Sequence, residues 1–350
     1  MADGTHIEWT DATWNPTVGC EIVSPGCTNC YAMRMAARIE AAGTAPYYSG
    51  LTKRVKGIPV WTGLLRDAPE HVLTRPLSWR KPRRIFVNSM SDLFAEGVSD
   101  QTIGRVFAVM ALAPQHTFQV LTKRPERMRQ FITEPFVGEW LAGSGLNHPG
   151  ATREALASLL KLDLFAKPLP NVWLGVSAED QARADERIPV LLNTPAAVRF
   201  LSAEPLLGMI DLNGLPDTKG DPSWDATALH GLRECAFGDV VQREEIAKLD
   251  WVIVGGESGP GARPMHPEWA RLIREDCARA GVAFHFKQWG SWAATQSNDG
   301  DWPTNADGFC RLQVSGARGD AGWPMQRVGK AFAGRLLDGR THDEFPEVRP

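Results

Sequence analysis

Six short apolar runs, each passing straight into a polar or glycine-containing turn, set the tightest limit on how this 350-residue chain can fold. They are Arg84-Ile-Phe-Val-Asn88, Thr117-Phe-Gln-Val-Leu121, Asn171-Val-Trp-Leu-Gly-Val176, Val198-Arg-Phe-Leu201, Trp251-Val-Ile-Val254 and Val282-Ala-Phe-His-Phe286. Each is continuous rather than alternating, the pattern of a strand buried on both faces in a parallel sheet. Helix-like segments lie between them at 100–112, 125–132, 178–192 and 267–280. Pro125 stands at a first helical position, and Gly281 follows the last segment where a C-cap would fall. A further strand is expected just before Cys20 and a helix from Cys30 to about Ala42. The series predicts an α/β fold, a partial or complete (β/α) barrel of six to seven parallel strands, with a doubly wound open sheet as the alternative.

Segments 134–170 and 213–250 interrupt the alternation as insertions containing Gly and Pro. The tail after Gly290 is irregular to about Pro324 and then compact from Met325 to Gly339. The expected organisation is one barrel domain, 1–290, carrying both insertions, and a C-terminal extension, 291–350, packed on it. With 38 Lys and Arg against 41 Asp and Glu the net charge is -3, which excludes a wholesale polyanion binder but permits a local basic patch. No stretch approaches the roughly 18 to 20 apolar residues of a membrane span. Met1 to Trp9 lacks a basic region followed by an apolar run. A cytoplasmic protein without membrane association is expected, with its thiols reduced.

Three of the six cysteines fall within eleven residues, Gly19-Cys20-Glu-Ile-Val-Ser-Pro-Gly-Cys27-Thr-Asn-Cys30-Tyr31-Ala32. This C-x6-C-x2-C arrangement, turned by Pro25 and Gly26, can deliver three thiolates to one metal centre. Three sulfurs leave a coordination position open, as a catalytic centre requires. Both zinc and iron–sulfur answer to that donor set, a structural zinc would take His6, Asp11 or a later cysteine as its fourth ligand, and a loop that binds no metal is the remaining alternative. The loop follows the expected first strand of the series, at the end where α/β folds carry their active sites.

Cys27-Thr-Asn-Cys30-Tyr31-Ala32, so placed, resembles the cluster loop of radical S-adenosylmethionine enzymes, especially those of the spore photoproduct lyase type. More closely, the chain resembles a phage and mobile-element "three-Cys-motif" family. The matching stretches include Ile7-Glu-Trp-Thr-Asp-Ala-Thr-Trp-Asn-Pro16, Phe86-Val-Asn-Ser-Met-Ser-Asp-Leu-Phe94, Val120-Leu-Thr-Lys-Arg-Pro125, Trp173-Leu-Gly-Val-Ser-Ala-Glu179, Phe200-Leu-Ser-Ala-Glu-Pro-Leu-Leu207, Val252-Ile-Val-Gly-Gly-Glu-Ser-Gly259, Phe286-Lys-Gln-Trp-Gly290 and Gly334-Arg-Leu-Leu-Asp-Gly339. The radical enzymes' usual loop is C-x3-C-x2-C, three residues shorter than this one. The resemblance implies a [4Fe-4S] cluster on Cys20, Cys27 and Cys30, with S-adenosylmethionine chelating the open iron and yielding a 5'-deoxyadenosyl radical.

Residues following the strands should gather at one rim. They include Ser89, Asp92, Lys123, Arg124, Ser177, Glu179, Ser202, Glu204, Gly255, Gly256, Glu257, Lys287 and Gln288. Asp92 and Glu257 are candidates for the methionine ammonium. Ser177, Glu179, Ser202 and Glu204 are candidates for the ribose diol. Ser89 to Asp92 matches the position of the amine-binding motif after the second strand, whereas Gly255-Gly256-Glu257 matches its wording only. Lys123, Lys287 and Gln288 are the catalytic candidates, and Cys235, Cys277 or Cys310 a possible hydrogen donor. A plain ring of salt bridges is the structural alternative.

Residues 53–84 hold nine Lys and Arg against Asp67 and Glu70, a local excess of seven, with Trp61 and Trp79 interleaved. Arg80, Lys81, Arg83, Arg84 and Trp79 are candidates for phosphate contacts and base stacking. The leading expectation is a radical iron–sulfur enzyme modifying or repairing a nucleic acid or nucleotide. The alternatives are a metal-binding, DNA-associated accessory protein without radical chemistry, and a barrel hydrolase with structural zinc.

Overall fold

The computed structural model describes Thr5 and residues 7–237, 240–294, 309–312 and 323–347. The expected irregular stretch after Gly290 falls largely on 295–308 and 313–322, outside the described residues, as do His6 and the residues before Thr5. Seven strands form the principal sheet: β1 (Ala12–Trp14), β2 (Arg84–Val87), β3 (Thr117–Thr122), β4 (Val172–Ser177), β5 (Val198–Ala203), β6 (Trp251–Gly255) and β7 (Ala283–Gln288). The chain visits them in the order β1 to β7, so every neighbour is the next strand in sequence. A doubly wound sheet would reverse its order at a switch point, and none occurs here. The fold is a partial (β/α) barrel, mixed α/β and all-parallel in its central sheet.

By internal contacts the chain divides into two compact units. The first is Met1–Ser24, Cys30–Val176 and Asn193–Arg199; the second is Pro25–Asn29, Ser177–Leu192 and Phe200–Pro350. In the first, Ile85 lies opposite Phe118, Val87 opposite Val120, and Val120 opposite Leu174. β4 is buried along its whole length, which explains why its sequence does not alternate. Three helices follow β1, β2 and β3: α1 (Tyr31–Ala42), α2 (Asp100–Leu112) and α3 (Pro125–Ile132). The α2 start is fixed by the Ser99 hydroxyl, which accepts the Thr102 amide at 3.1 Å. Insertion 134–170 forms two short helices, Val137–Ala142 and Arg153–Ser158. Trp140 of the first joins Phe131 and Phe107 in an aromatic cluster.

In the second unit, β5 pairs with β6 and β6 with β7, bringing Phe200 opposite Trp251 and Val254 opposite Phe286. α4 (Gln181–Leu192) follows β4. It begins later than expected, directly after Asp180, whose carboxylate accepts the Arg183 amide at 3.1 Å. α5 (Pro267–Ala280) starts with Pro267 and ends at the expected Gly281 cap, which is left-handed. Segment 213–250 contains a four-stranded antiparallel sheet, Leu215–Pro216, Asp225–Thr227, Leu232–Phe237 and Val240–Glu245. Its interior cation Arg233 pairs with Asp217 at 2.9 Å and lies 4.2 Å over the Trp224 ring. The tail returns along β7: the Phe286 amide donates to the His342 carbonyl, the Phe284 amide to the Glu344 carboxylate, and the Trp251 indole to the Glu344 carbonyl. Otherwise unpaired donors of the last strand are thereby satisfied.

Candidate functional site

Cys20 and Cys30 belong to the first unit. Cys30 caps the N-terminus of α1, where the helix dipole favours a thiolate. Both pack at the margin of an apolar cluster that includes Val18, Met33, Leu51 and Met90. Burial pushes the Cys20 thiol up to about 12, with Asp92 and Cys30 adding to the rise while Arg124 opposes it. A cationic metal would reverse that balance, because thiolate ligands must lose their protons on binding. None of the six cysteines is disulfide-bonded.

Asp92 is buried and its four acceptor positions are engaged. Oδ1 takes the Phe94 amide (3.0 Å) and the Thr122 hydroxyl (2.7 Å), while Oδ2 takes the Lys123 amide and Arg124 Nη1, each at 3.0 Å. The carboxylate therefore fixes the turn after β3 and holds Arg124 beside Cys20; an incoming ammonium would have to displace one of these donors. Ser89 donates to Asn15 Oδ1 at 3.1 Å and its carbonyl accepts the Tyr31 hydroxyl at 2.9 Å, tying the end of β2 to the start of α1. Asn88 supports the bend with a left-handed backbone, φ 59°, and its Nδ2 donates to the Thr17 hydroxyl at 2.8 Å. Lys123 is half-buried. Asp11, a zinc-ligand alternative, is spent on the Arg84 amide and guanidinium.

Cys27 belongs to the second unit, in the turn Pro25–Cys27. Glu179, with no exposed surface, accepts the Gly26 amide at 2.8 Å and pairs with the buried Arg187 at 3.4 Å. Arg187 also donates to the Ser177 carbonyl at 2.8 Å. Glu257 is buried against Arg263, whose Nε and Nη2 donate at 2.9 and 2.6 Å, and it accepts Asn29 Nδ2 at 3.0 Å. Burial alone would raise the Glu257 pKa, but the bonds from Arg263 and Asn29 outweigh it and hold the carboxyl below its ordinary range.

Glu204 forms an ion pair with Lys287 at 3.1 Å and accepts the Ser202 hydroxyl at 3.4 Å. Gly255 makes room for it: a Cβ there would fall 2.3 Å from Glu204 Oε1. At Gly256 a Cβ would meet the Trp289 carbonyl at 2.0 Å, so this glycine serves backbone packing. Gln288 is buried and its Oε1 has no hydrogen-bond partner among the described residues. Ser202, Glu204, Lys287 and Gln288 thus form a polar group at the β5 and β7 ends. Cys235 and Cys277 are buried and Cys310 partly so.

Among the described residues no group of three or more His, Cys, Asp or Glu side chains is gathered tightly enough to hold a metal ion. Fit therefore rests on the chemistry of the donor set. Three reduced thiols on one eleven-residue loop suit a soft metal or an iron–sulfur cluster, one of them at a helix N-terminus and another beside an arginine. Asn15, Asn29, Asn88 and Arg263 were not visible as site residues in the sequence. The only local signals were an Asn at each of two strand ends and an Arg just beyond a Gly-Pro-Gly turn.

A family model described as "Protein of unknown function (DUF5131)" matches residues 4–346. The chain belongs to the DUF5131 family. Neither the curated proteins nor the solved structures include a match to it.

The DUF5131 chain carries its basic segment in the first unit. Arg80 and Lys81 are exposed, as are Lys53, Arg54 and Lys56 on the hairpin Thr52–Val55/Ile58–Trp61. Arg83 lies 4.8 Å over the Trp79 ring, and Arg84 pairs with Asp11 at 3.3 Å. Trp61 is buried in the cluster beside α1 and has no face to offer a base. Among the described residues no helix is long and apolar enough to cross a membrane.

Proposed function

We propose that this chain is an iron–sulfur enzyme of the radical S-adenosylmethionine type that modifies or repairs a nucleic acid or nucleotide. One observation carries the reading: the three-cysteine loop joins the first strand and first helix of an all-parallel sheet whose strands run in sequence order. Cys20, Cys27 and Cys30 would hold the cluster. What it supplies when bound is one electron for reductive cleavage of adenosylmethionine. The chain's own residues bind and orient. Within the second unit, Ser202, Glu204 and Lys287 would offer hydroxyl, carboxylate and ammonium groups to a bound ligand. Arg124, held by Asp92, offsets negative charge beside Cys20. The apolar packing beside Cys20 and Cys30 covers part of their surface.

The test is purification without oxygen, followed by iron, sulfide and zinc analysis with a visible spectrum. About four irons per chain and a brown absorbance shoulder are expected. Dithionite with adenosylmethionine should then release 5'-deoxyadenosine. One zinc with no iron, or iron without 5'-deoxyadenosine, overturns the reading.

The nucleic-acid part of the proposal rests on the exposed cations. Changing Lys53, Arg54, Lys56, Arg80 and Lys81 together to Ala should make the dependence of log affinity on log salt shallower by about 1 for each phosphate that is no longer neutralised. Fluorescence anisotropy with labelled DNA over a salt series measures this, and an unchanged slope refutes the surface.

A further inference from the structure

We infer that Glu179, Glu257 and Arg263 are positioning residues for the cysteine loop: together they clamp the Pro25–Asn29 turn and set where Cys27 stands. The inference builds on the reading of Cys27 as a ligand. Five residues of turn receive four polar holds from distant parts of the same unit. Glu179 Oε1 accepts the Gly26 amide at 2.8 Å. Arg263 Nη2 donates to the Pro25 carbonyl at 2.9 Å. Asn29 Nδ2 donates to Glu257 Oε2 at 3.0 Å and to the Gly261 carbonyl at 2.8 Å. Cys27 lies between these holds and is buried.

The holds are braced in turn. Arg263 reaches Glu257 through Nε, Nη2 and its backbone amide, so the group that grips Pro25 also fixes the carboxylate that grips Asn29. Arg187 pins Glu179. Close approach is built into the sequence at both ends. A Cβ on Gly26 would lie 3.0 Å from the Glu179 carboxyl carbon, and one on Gly261 would lie 3.0 Å from Asn29 Oδ1. Gly261 also has φ 77°, which other residues rarely adopt. A surface turn needs no buried carboxylates to keep its shape, and burying two of them costs free energy. Holding a ligand loop to a fixed geometry is what outer-shell groups do around metal centres.

Three consequences can be measured. With the metal removed by chelator and thiols reduced, iodoacetamide labelling of Cys27, read by peptide mass spectrometry, should be about tenfold faster in Glu257→Ala than in the parent. That factor corresponds to losing roughly one charge-assisted hydrogen bond. Cys277, buried in α5, should keep its slow rate and thereby report an intact fold. Glu257→Gln, which retains acceptors for Asn29 and Arg263, should restore most of the protection. Asn29→Ala removes only the turn's own hook from a half-buried site and gives the same readout should Glu257→Ala not fold. Unchanged Cys27 labelling in Asn29→Ala, with Cys277 still slow, overturns the clamp. Anaerobic iron loading separates the two ideas. If the parent takes up no iron yet Cys27 is released in the variants, the clamp stands and the cluster reading falls; if the parent loads iron and the variants load less than half, both stand.

Discussion

Arg187→Ala is expected to cost about 3–5 kcal/mol of stability, because it removes the guanidinium paired with the Glu179 carboxylate in a site with no exposed surface. The pair is not there as a surface ornament: both partners are buried, and exposed ion pairs contribute at most about 1 kcal/mol. Losing the guanidinium also removes the hydrogen bond it donates to the Ser177 carbonyl at the end of β4. The damage should be local in origin and large in size, a substantial fraction of the roughly 5–15 kcal/mol that holds a typical domain folded. Guanidinium titration followed by tryptophan fluorescence would show the transition moving to lower denaturant with little change in slope. Removing both charges at once, in Arg187→Met with Glu179→Gln, should be milder than Arg187→Ala alone, since no unpaired charge is then buried. A loss below about 1 kcal/mol in Arg187→Ala, the ordinary range of surface substitutions, would show that Glu179 has other means of compensation.

The second large effect is on metal content. Cys20→Ala, Cys27→Ala and Cys30→Ala should each reduce anaerobically bound iron to a small fraction of the parent value and remove the visible shoulder. A cluster that already uses an open coordination position has no spare thiolate to lose. Cys235→Ala, Cys277→Ala and Cys310→Ala should leave the iron unchanged. The contrast matters because thiols elsewhere in a chain can bind iron adventitiously. Cys20→Ala should not unfold the chain: its thiol is neutral when unliganded, being pushed up to about 12, so no charged partner is orphaned. Equal retention of iron across all six variants would dispose of the loop as a metal site.

Local chemistry made much of the fold legible. α2, α3 and α5 begin and end where expected because their signals lie within the helices or beside them: Ser99, Pro125, Pro267 and Gly281. The start of α4 falls three residues later than expected although its signal is also local, the Asp180 carboxylate that accepts the Arg183 amide. The antiparallel sheet in 213–250 was hidden by the brevity of its first two strands. Strands of two or three residues, such as Leu215–Pro216 and Asp225–Thr227, carry too little periodicity to announce themselves, and only their pairing defines them. At the candidate site the polar residues after the strands could be named in advance, but not their commitments. Asp92 looks available in the sequence, yet its acceptors are filled from residues two and about thirty positions away. Glu257 gains its partners from Asn29 and Arg263, and the first of these is 228 residues distant.

The return of the tail along β7 bears on how the molecule avoids its own copies. Phe284 and Phe286 of β7, a strand in which half the side chains are apolar, offer amides that Glu344 and His342 occupy. Cutting the chain ahead of His342 would turn that strand into an adhesive margin, ready to recruit a strand from a neighbouring molecule. Such a truncated protein should sediment as oligomers that grow with concentration, and should do so even if its cysteine loop and helices are intact.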